Sequence, residues 1–145
     1  MIARLSMLLA VWLSIGAAAA DSRQLVLVAS AQNPVKTLTN IETRMLFLGY
    51  TVSRDGRSLR PVRNVSSPLL NDVFLQHVVA MSQASFDRRT LVATLQKGRA
   101  PPVEISTAPG VLRRLTGDPL AVSYMWLSDV QAHPELKVLR VLWVE

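Results

Sequence analysis

The chain has 145 residues, with 16 lysines and arginines against 10 aspartates and glutamates, and it contains no cysteine. This length fits one domain with a single modest core and leaves no room for a second lobe. Without cysteine there is no disulfide, no thiolate nucleophile and no cysteine metal site, so packing must supply the stability. The net charge of +6 favours anionic ligands or surfaces as partners.

The first twenty residues have the pattern of a secretory signal peptide. Arg4 precedes an apolar run from Leu5 to Ile15, and the small residues Ala18 and Ala20 suit a signal peptidase. The run is shorter than the roughly 20 residues of a membrane-spanning helix. We therefore expect residues 1–20 to be cleaved and residues 21–145 to form an exported, periplasmic domain. An exported domain does not meet nucleic acid, so phosphate-like oxyanions, acidic glycans and anionic membrane surfaces remain as partners.

A strand and then a helix are predicted at the start of this domain. The segment "QLVLVA", residues 24–29, is rich in leucine and valine and indicates a buried strand. Thr39 and Glu42 have the spacing of a capping box at a helix start, and Gly49 is a natural helix stop. The predicted buried face of this helix consists of Ile41, Met45, Leu46 and Leu48.

An arginine occurs at every third position around an Asp-Gly turn, at Arg54, Arg57, Arg60 and Arg63. The turn precedes "SLRPV", a predicted strand in which Pro61 indicates a sheet edge or a strand end. Alternate strand residues face opposite sides, so a spacing of three cannot place all four arginines on one face. Two interpretations remain for the first three: a solvated loop and strand edge, or a basic surface that docks a partner or an anionic envelope polymer.

Three more helices are predicted. The first starts at Pro68 with Ser67 as its cap and runs to about Ala80, with its buried side at Val73, Phe74, His77 and Val78. The next runs from about Ser85 to Gln96 and stops at Gly98, with Phe86, Leu91, Val92 and Leu95 directed inward. "RAPPVEIST" is predicted as an extended connector, because proline disfavours helix at the preceding residue. A short helix then covers 109–115, capped by Ser106 or Thr107.

The chain ends with two predicted strands, "LAVSYMWL" and "KVLRVLWV", separated by a turn at His133-Pro134. Strands and helices therefore alternate along the whole domain. This alternation predicts an α/β fold with a mixed, mostly parallel sheet flanked by about four helices.

Six segments occur in an order that resembles a known family: "NPVKTLTNIETRMLFLG", "DGRSLRPV", "DVFLQHVV", "KGRAPP", "GDPLAVSYM" and "LKVLRVLWV". They resemble the short exported phosphate-binding-protein-like domains, which are similar to one lobe of the substrate-binding protein of phosphate ABC transporters. The resemblance covers nearly all of residues 24–145. It implies a single periplasmic-binding-protein-like lobe with a noncatalytic, solute-binding role. Its implied partners are phosphate or another oxyanion and a membrane transporter or sensor protein, without a cofactor or metal.

The anion-binding motif of this family is only half present. Full-length phosphate binders have an arginine followed four residues later by Ser-Gly-Thr at a helix start, whereas here Arg63 and Ser67 precede Pro68 and Leu69. A guanidinium, the hydroxyls of Ser66 and Ser67 and a helix start could together hold an oxyanion. Alternatively, a serine only caps the helix and the arginine is solvated. The family's Gly-Ala-Ile-Gly-Tyr is also changed, since this chain keeps the tyrosine at 124 and loses both glycines.

The residue types argue against an enzyme. The chain has two histidines, no G-x-S-x-G motif and no P-loop. Asp72 and His77 are five residues apart on one predicted helix and point about 140° away from each other, so they do not form a base and its orienting acid. Two functions remain: a lobe that binds an oxyanion in connection with ABC transport or sensing, and an envelope protein-interaction module that has lost the anion site.

Overall fold

A five-stranded sheet between two layers of helices forms the fold, as described by a computed structural model for residues 22–145. The predicted signal peptide, residues 1–20, lies outside the described residues. The strands are β1 (Gln24–Ser30), β2 (Ser53–Arg54), β3 (Arg57–Ser58), β4 (Arg60–Asn64), β5 (Val103–Ile105), β6 (Ala121–Trp126) and β7 (Leu136–Val144). The helices are α1 (Asn40–Phe47), α2 (Pro68–Val73), which continues as a π-helical segment (Phe74–Val79), α3 (Gln83–Lys97), α4 (Ala108–Gly117) and α5 (Leu127–Gln131).

The main sheet has the strand order β5-β4-β6-β1-β7. β4 pairs in parallel with β5 and β6, and β1 pairs antiparallel with β6 and β7. Four strands therefore point in one direction and only β1 opposes them, which confirms the predicted mixed, mostly parallel α/β sheet. β1 lies inside the sheet with both of its faces covered, and residues 25–29 have no exposed surface. This burial explains why "QLVLV" is a continuous apolar run and not an alternating one.

Pro61 lies at a strand end and not at a sheet edge. β4 is an interior strand, but β5 pairs only with residues 62–64 of it, and Pro61 pairs with Val122 of β6. The missing proline N–H therefore interrupts no ladder between β4 and β5. The predicted connector "RAPPVEIST" contains β5, a three-residue strand. It was not predicted, because the two prolines before it indicated a connector.

Each face of the sheet has its own core. One face packs against α1, α2, the π-helical segment and α3 around an aromatic group. In this group Phe74 stacks on Tyr124 with ring centroids 4.3 Å apart, and Phe47 lies edge-on to both rings. The opposite face packs against α4 and α5 through a smaller aliphatic core that includes Val26, Val28, Val111 and Leu115.

Local helix signals are confirmed. Thr39 and Glu42 form the predicted capping box, with Glu42 N–H donating to Thr39 Oγ1 at 3.1 Å. Gly98 ends α3 in the left-handed region, at φ 61°, as a glycine stop requires. Of the two cap candidates for α4, Thr107 is the one used. α5 was not predicted, because it follows β6 directly and has no side-chain cap.

The predicted inward faces of α1 and α3 are wrong in part. Exposed residues among those predicted to face inward are Ile41, Met45, Leu91, Val92 and Leu95. α3 instead buries Phe86 and Thr90. At 100° per residue, Leu91, Val92 and Leu95 lie about 120° or more from Phe86, so they cannot share its face. His77 is also exposed, and its ring stacks on Trp143 with centroids 5.5 Å apart.

Candidate functional site

A cavity of about 280 Å³, here called the edge cavity, opens where β4 and β6 end. Asn64 closes β4, Met125 and Trp126 close β6, and the starts of α2 and α4 complete the rim. The carboxyl ends of parallel strands meet at this edge, which is where open α/β sheets bind ligands. The fold therefore places the edge cavity at the expected position for a binding site.

The walls of the edge cavity are mostly apolar. It is lined by Asn64, Ser66, Ser67, Leu70, Ala108, Pro109, Leu112, Met125, Trp126, Asp129 and His133. Asp129 is the one carboxylate in this lining, and no lysine or arginine contributes to it. Such a cavity suits an apolar group that ends in a hydrogen-bond donor or a cation, because a buried dianion would need compensating positive charge. Asp129 and His133 were missed in the sequence, although their place just after β6 could have indicated them.

Both predicted serines lie in the lining of the edge cavity. Ser67 caps α2, and its Oγ accepts a long hydrogen bond from Leu70 N–H at 3.5 Å. Ser66 Oγ donates to Asn64 Oδ1 at 2.6 Å, and Asn64 Nδ2 donates to the carbonyl oxygen of Tyr124 at 2.9 Å. The hydroxyl hydrogen of Ser66 is therefore already donated to another residue of the protein and is not free for a ligand. The Ser67 hydroxyl accepts from Leu70 and still has its own hydrogen to donate.

Arg63 points to the other side of the sheet. It is 1% exposed, and alternation along β4 directs it away from Asn64 toward the aromatic core. Its Nη1 donates to Glu104 Oε1 at 2.7 Å, its Nη2 donates to Asn71 Oδ1, and its Cζ lies 4.5 Å from the Phe86 ring centroid. The structure thus brings Ser66 and Ser67 together but does not bring Arg63 to them. An oxyanion contact shared by all three residues stays a prediction, and it would require the guanidinium to leave this network.

Tyr124 is a core residue next to this arginine. Its ring stacks on Phe74, and its hydroxyl has no hydrogen-bond partner among the described residues. Burial raises the pKa of Tyr124 to about 12, while the neighbouring Arg63 guanidinium acts in the opposite direction. A phenol this deep in the core does not serve as a ligand-stacking surface. Tyr124 therefore contributes to packing of the core.

The two helix starts beside the edge cavity offer few backbone donors. Pro68 is the first residue of α2, Pro109 is the second residue of α4, and proline has no N–H. In α4 the Gly110 N–H donates to the Thr107 cap at 3.2 Å. Helix starts usually attract anions through backbone N–H groups that have no partner within the helix. Here the prolines and the caps remove part of that attraction.

Two of the three arginines nearest the Asp-Gly turn are paired with carboxylates. Arg54 donates to Glu42 at 2.5 Å, and Arg60 grips both carboxylate oxygens of Asp118 at 2.7 Å each. Arg57 lies in the β2–β3 hairpin, is exposed, and has no ion pair within residues 22–145. The hydrogen bond from Arg60 holds the pKa of Asp118 below its usual value. Two of these three charges are therefore compensated locally, and partner docking at this surface stays a prediction.

Within residues 22–145, no three histidine, aspartate or glutamate side chains are grouped so that they could hold a metal ion. None of the helices in that range has the length and apolar character needed to cross a bilayer.

Solved structures of phosphate-binding transport proteins share this fold. A Clostridium perfringens protein with bound phosphate, assigned as a phosphate ABC transporter substrate-binding protein, has 15% identity and a TM-score of 0.59, covering 82% of this chain and 45% of its own. An assigned phosphate-binding protein from Planctomyces limnophilus has 14% identity and a TM-score of 0.56, with 82% and 41% covered. An ABC-type phosphate transport receptor from Vibrio cholerae has 14% identity and a TM-score of 0.51, with 82% and 46% covered.

These likenesses establish the fold of the chain. The chain spans less than half the length of each of these proteins. The comparison confirms the predicted fold, that of one lobe of these solved structures. No protein-family model and no curated protein matches the sequence.

Proposed function

We propose that this chain is a noncatalytic, exported lobe that uses the edge cavity to dock a partner protein of the cell envelope. The observation that carries this proposal is a cavity at the edge where this fold binds ligands, with no lysine or arginine among the described residues that line it. The chain spans less than half of its structural neighbours, and a ligand site normally surrounds most of its ligand. A second protein surface would supply the missing wall.

The hydrogen bonds around the edge cavity support a noncatalytic role. A serine nucleophile needs a base within reach, and the Ser66 hydroxyl donates to Asn64 instead. His133 lies 3.4 Å from Glu135, measured from Nδ1 to Oε1, and makes no hydrogen bond with a serine hydroxyl among the described residues. The solved structures with this fold are likewise binding proteins and receptors.

The lining defines the chemistry of the occupant. Leu112, Met125 and Trp126 offer an apolar surface, and Asp129 offers a carboxylate. An apolar side chain of the partner, followed by a hydrogen-bond donor or a cation, would match this arrangement. We propose a partner segment of that kind as the occupant.

A cavity-filling variant tests this proposal. Ala108→Trp should fill the edge cavity, whereas Thr116→Trp places the same ring on the exposed far end of α4. Residues 21–145 of each variant would be immobilised and exposed to envelope extract, with retained proteins quantified by mass spectrometry. We expect at least one protein to bind the wild type and Thr116→Trp but not Ala108→Trp. Identical sets of retained proteins for all three would contradict docking at this cavity.

A second candidate is weak binding of phosphate or a related oxyanion in connection with ABC transport or sensing. Ser66 and Ser67 favour it, because both lie in the cavity at the start of α2. The phosphate bound in the Clostridium perfringens structure favours it as well. The carboxylate of Asp129 and the engaged guanidinium of Arg63 oppose it. Such binding would appear as a phosphate-selective rise in melting temperature.

A further inference from the structure

A groove of about 460 Å³ lies between α3 and the chain that enters β5, the last strand at one end of the main sheet. We call it the α3–β5 groove. α3 forms one of its walls, and Pro101, Pro102 and Glu104 form the other. No residue of this groove lines the edge cavity. The α3–β5 groove is therefore a second concave surface, separate from the edge cavity.

The wall formed by α3 combines a carboxylate with an exposed leucine. Asp87, Leu91 and Thr94 are spaced by four and three residues, so they share one face of the helix. The leucine is 57% exposed. Asp87 is exposed and forms no ion pair within residues 22–145. This wall thus offers an apolar contact next to an unpaired negative charge.

The opposite wall adds a second carboxylate. Glu104 accepts a hydrogen bond from the buried Arg63 at 2.7 Å through its Oε1, and its side chain is 54% exposed. No lysine or arginine among the described residues lines the groove. Because Arg63 compensates only Glu104, the charge of Asp87 leaves the α3–β5 groove negative and favours a cationic occupant.

The edge of β5 next to the groove is free. β5 pairs with β4, and on that side its Ile105 carbonyl oxygen accepts from Val65 N–H at 3.0 Å. Successive strand residues direct their backbone groups to opposite edges, so the N–H and C=O of Glu104 point away from β4. Within residues 22–145 no strand pairs with this outer edge. Such an edge can accept an extended segment of another protein as an added strand.

We propose that the α3–β5 groove binds an extended segment of a partner protein in which lysine or arginine alternates with apolar residues. Alternate side chains of an added strand would face α3, where they meet Leu91, Asp87 and Glu104. A lysine or arginine fits there, because its apolar stem covers the leucine and its charged end reaches the carboxylates. The remaining side chains would lie beside Val103, which is 46% exposed and follows the two prolines.

The charge of the groove argues for this segment over other occupants. A phosphate or another anion would be repelled by Asp87, and a wholly apolar segment would cover that carboxylate without giving it a partner. The proposal goes beyond the proposed function, since it concerns a different surface. It can hold or fail independently of docking at the edge cavity.

Peptide titration tests the proposal on residues 21–145, which include the whole sheet and both cores. The probe is a short, fluorescently labelled peptide of alternating valine and lysine, followed by fluorescence anisotropy. We expect saturable binding that weakens at high salt, because the charges of the groove are partly exposed. A peptide of alternating valine and glutamate should not bind. The valine–lysine peptide with every second backbone amide methylated should also fail to bind, since it cannot pair with a strand edge.

Single variants locate the binding. Asp87→Asn should weaken it about two- to fivefold through loss of the charge. Leu91→Ser should weaken it to a similar degree, about threefold, through loss of apolar contact. The matched controls Asp72→Asn and Leu69→Ser change exposed residues of α2 outside the groove and should bind like the wild type. Ala108→Trp fills the edge cavity and should likewise bind normally, which separates this site from the proposed function. Thermal melts would confirm that each variant is folded.

Several results would overturn the proposal. Equal binding of the lysine and glutamate peptides would exclude charge recognition, and normal binding of the methylated peptide would exclude strand addition. Loss of binding in Ala108→Trp, or equal losses in the groove variants and their α2 controls, would place the peptide elsewhere. A dimer in sedimentation that Leu91→Ser dissociates would show that a second copy of this chain occupies the groove instead of a separate partner.

Discussion

Arg63 is a charged residue buried beside the aromatic core. Its guanidinium cannot lose its charge, so its burial requires compensation by partners. Glu104 on β5 and Asn71 on α2 accept its hydrogen bonds, and the rings of Phe74 and Phe86 lie 5.3 and 4.5 Å from its Cζ. Glu104 remains 54% exposed in its side chain and keeps contact with water. Arg63 thereby connects β4 to α2, α3 and β5.

Replacement of Arg63 should therefore affect stability. Arg63→Ala should lower the free energy of unfolding by about 2–4 kcal/mol, because the core loses a large side chain and Asn71 loses its donor. Denaturant unfolding measures this change. Arg57→Ala, at an exposed hairpin position, serves as the control and should stay within about 0.5 kcal/mol of the wild type. A similarly small effect for both variants would show that Arg63 is not a core contact.

The sequence indicated the arginines but not their partners. It allowed Arg63 to be an anion contact or a solvated residue, and burial of its guanidinium overturns the solvated alternative. Its partner Glu104 is 41 residues away in sequence and on a strand that was not predicted. Only the pairing of β4 with β5 brings the two side chains together. Residue types near in sequence could not reveal this network.

At the scale of elements, features that depend on neighbouring residues in sequence were predicted correctly. Features that depend on tertiary contacts were not. The Thr39 cap, the Asp55-Gly56 turn and the Gly98 stop depend on neighbours in sequence, and all three are confirmed. β5 has three residues and is a strand only because β4 supplies its hydrogen-bond partners. Leu91, Val92 and Leu95 of α3 were predicted to be buried because leucine and valine are usually core residues. The helical period instead directs them away from Phe86, the buried residue of α3.

The contact between Arg60 and Asp118 joins the end of α4 to the start of β4 and should make stability pH-dependent. Asp118 follows α4, accepts both Arg60 hydrogen bonds and also accepts from Leu120 N–H. Its pKa is lowered in the folded state, chiefly by the Arg60 hydrogen bond. The stabilisation is therefore present above the unfolded-state pKa of about 3.9 and is lost as the pH falls through the lower folded value.

Asp118→Asn tests this dependence. The variant should be less stable than the wild type near neutral pH, and the difference should shrink as the pH falls below about 4. Thermal melts at several pH values would measure it. Glu135→Gln, at an exposed carboxylate, is the matched control. A constant difference between Asp118→Asn and the wild type across the acid range would contradict the account.

At the scale of the whole molecule, the chain shares its fold with phosphate-binding transport proteins, but its edge cavity has few groups that favour an anion. The edge cavity has the position of a ligand site, yet the described residues that line it include a carboxylate and no lysine or arginine. The predicted binding arginine is turned into the core, and Pro68 and Pro109 remove backbone donors beside the cavity. These observations favour the proposed docking of a partner over tight capture of a solute.

The most direct measurement is the melting temperature of residues 21–145 titrated with phosphate, with sulfate and chloride at matched ionic strength. A ligand that binds only the native state stabilises it by about 2.7 kcal/mol at a hundredfold excess over Kd, which a thermal melt detects easily. We predict no saturable, phosphate-selective rise below millimolar concentration, because no lysine or arginine among the described residues lines the edge cavity. A saturable, phosphate-selective rise at micromolar concentration would contradict it and establish the chain as a phosphate-binding lobe.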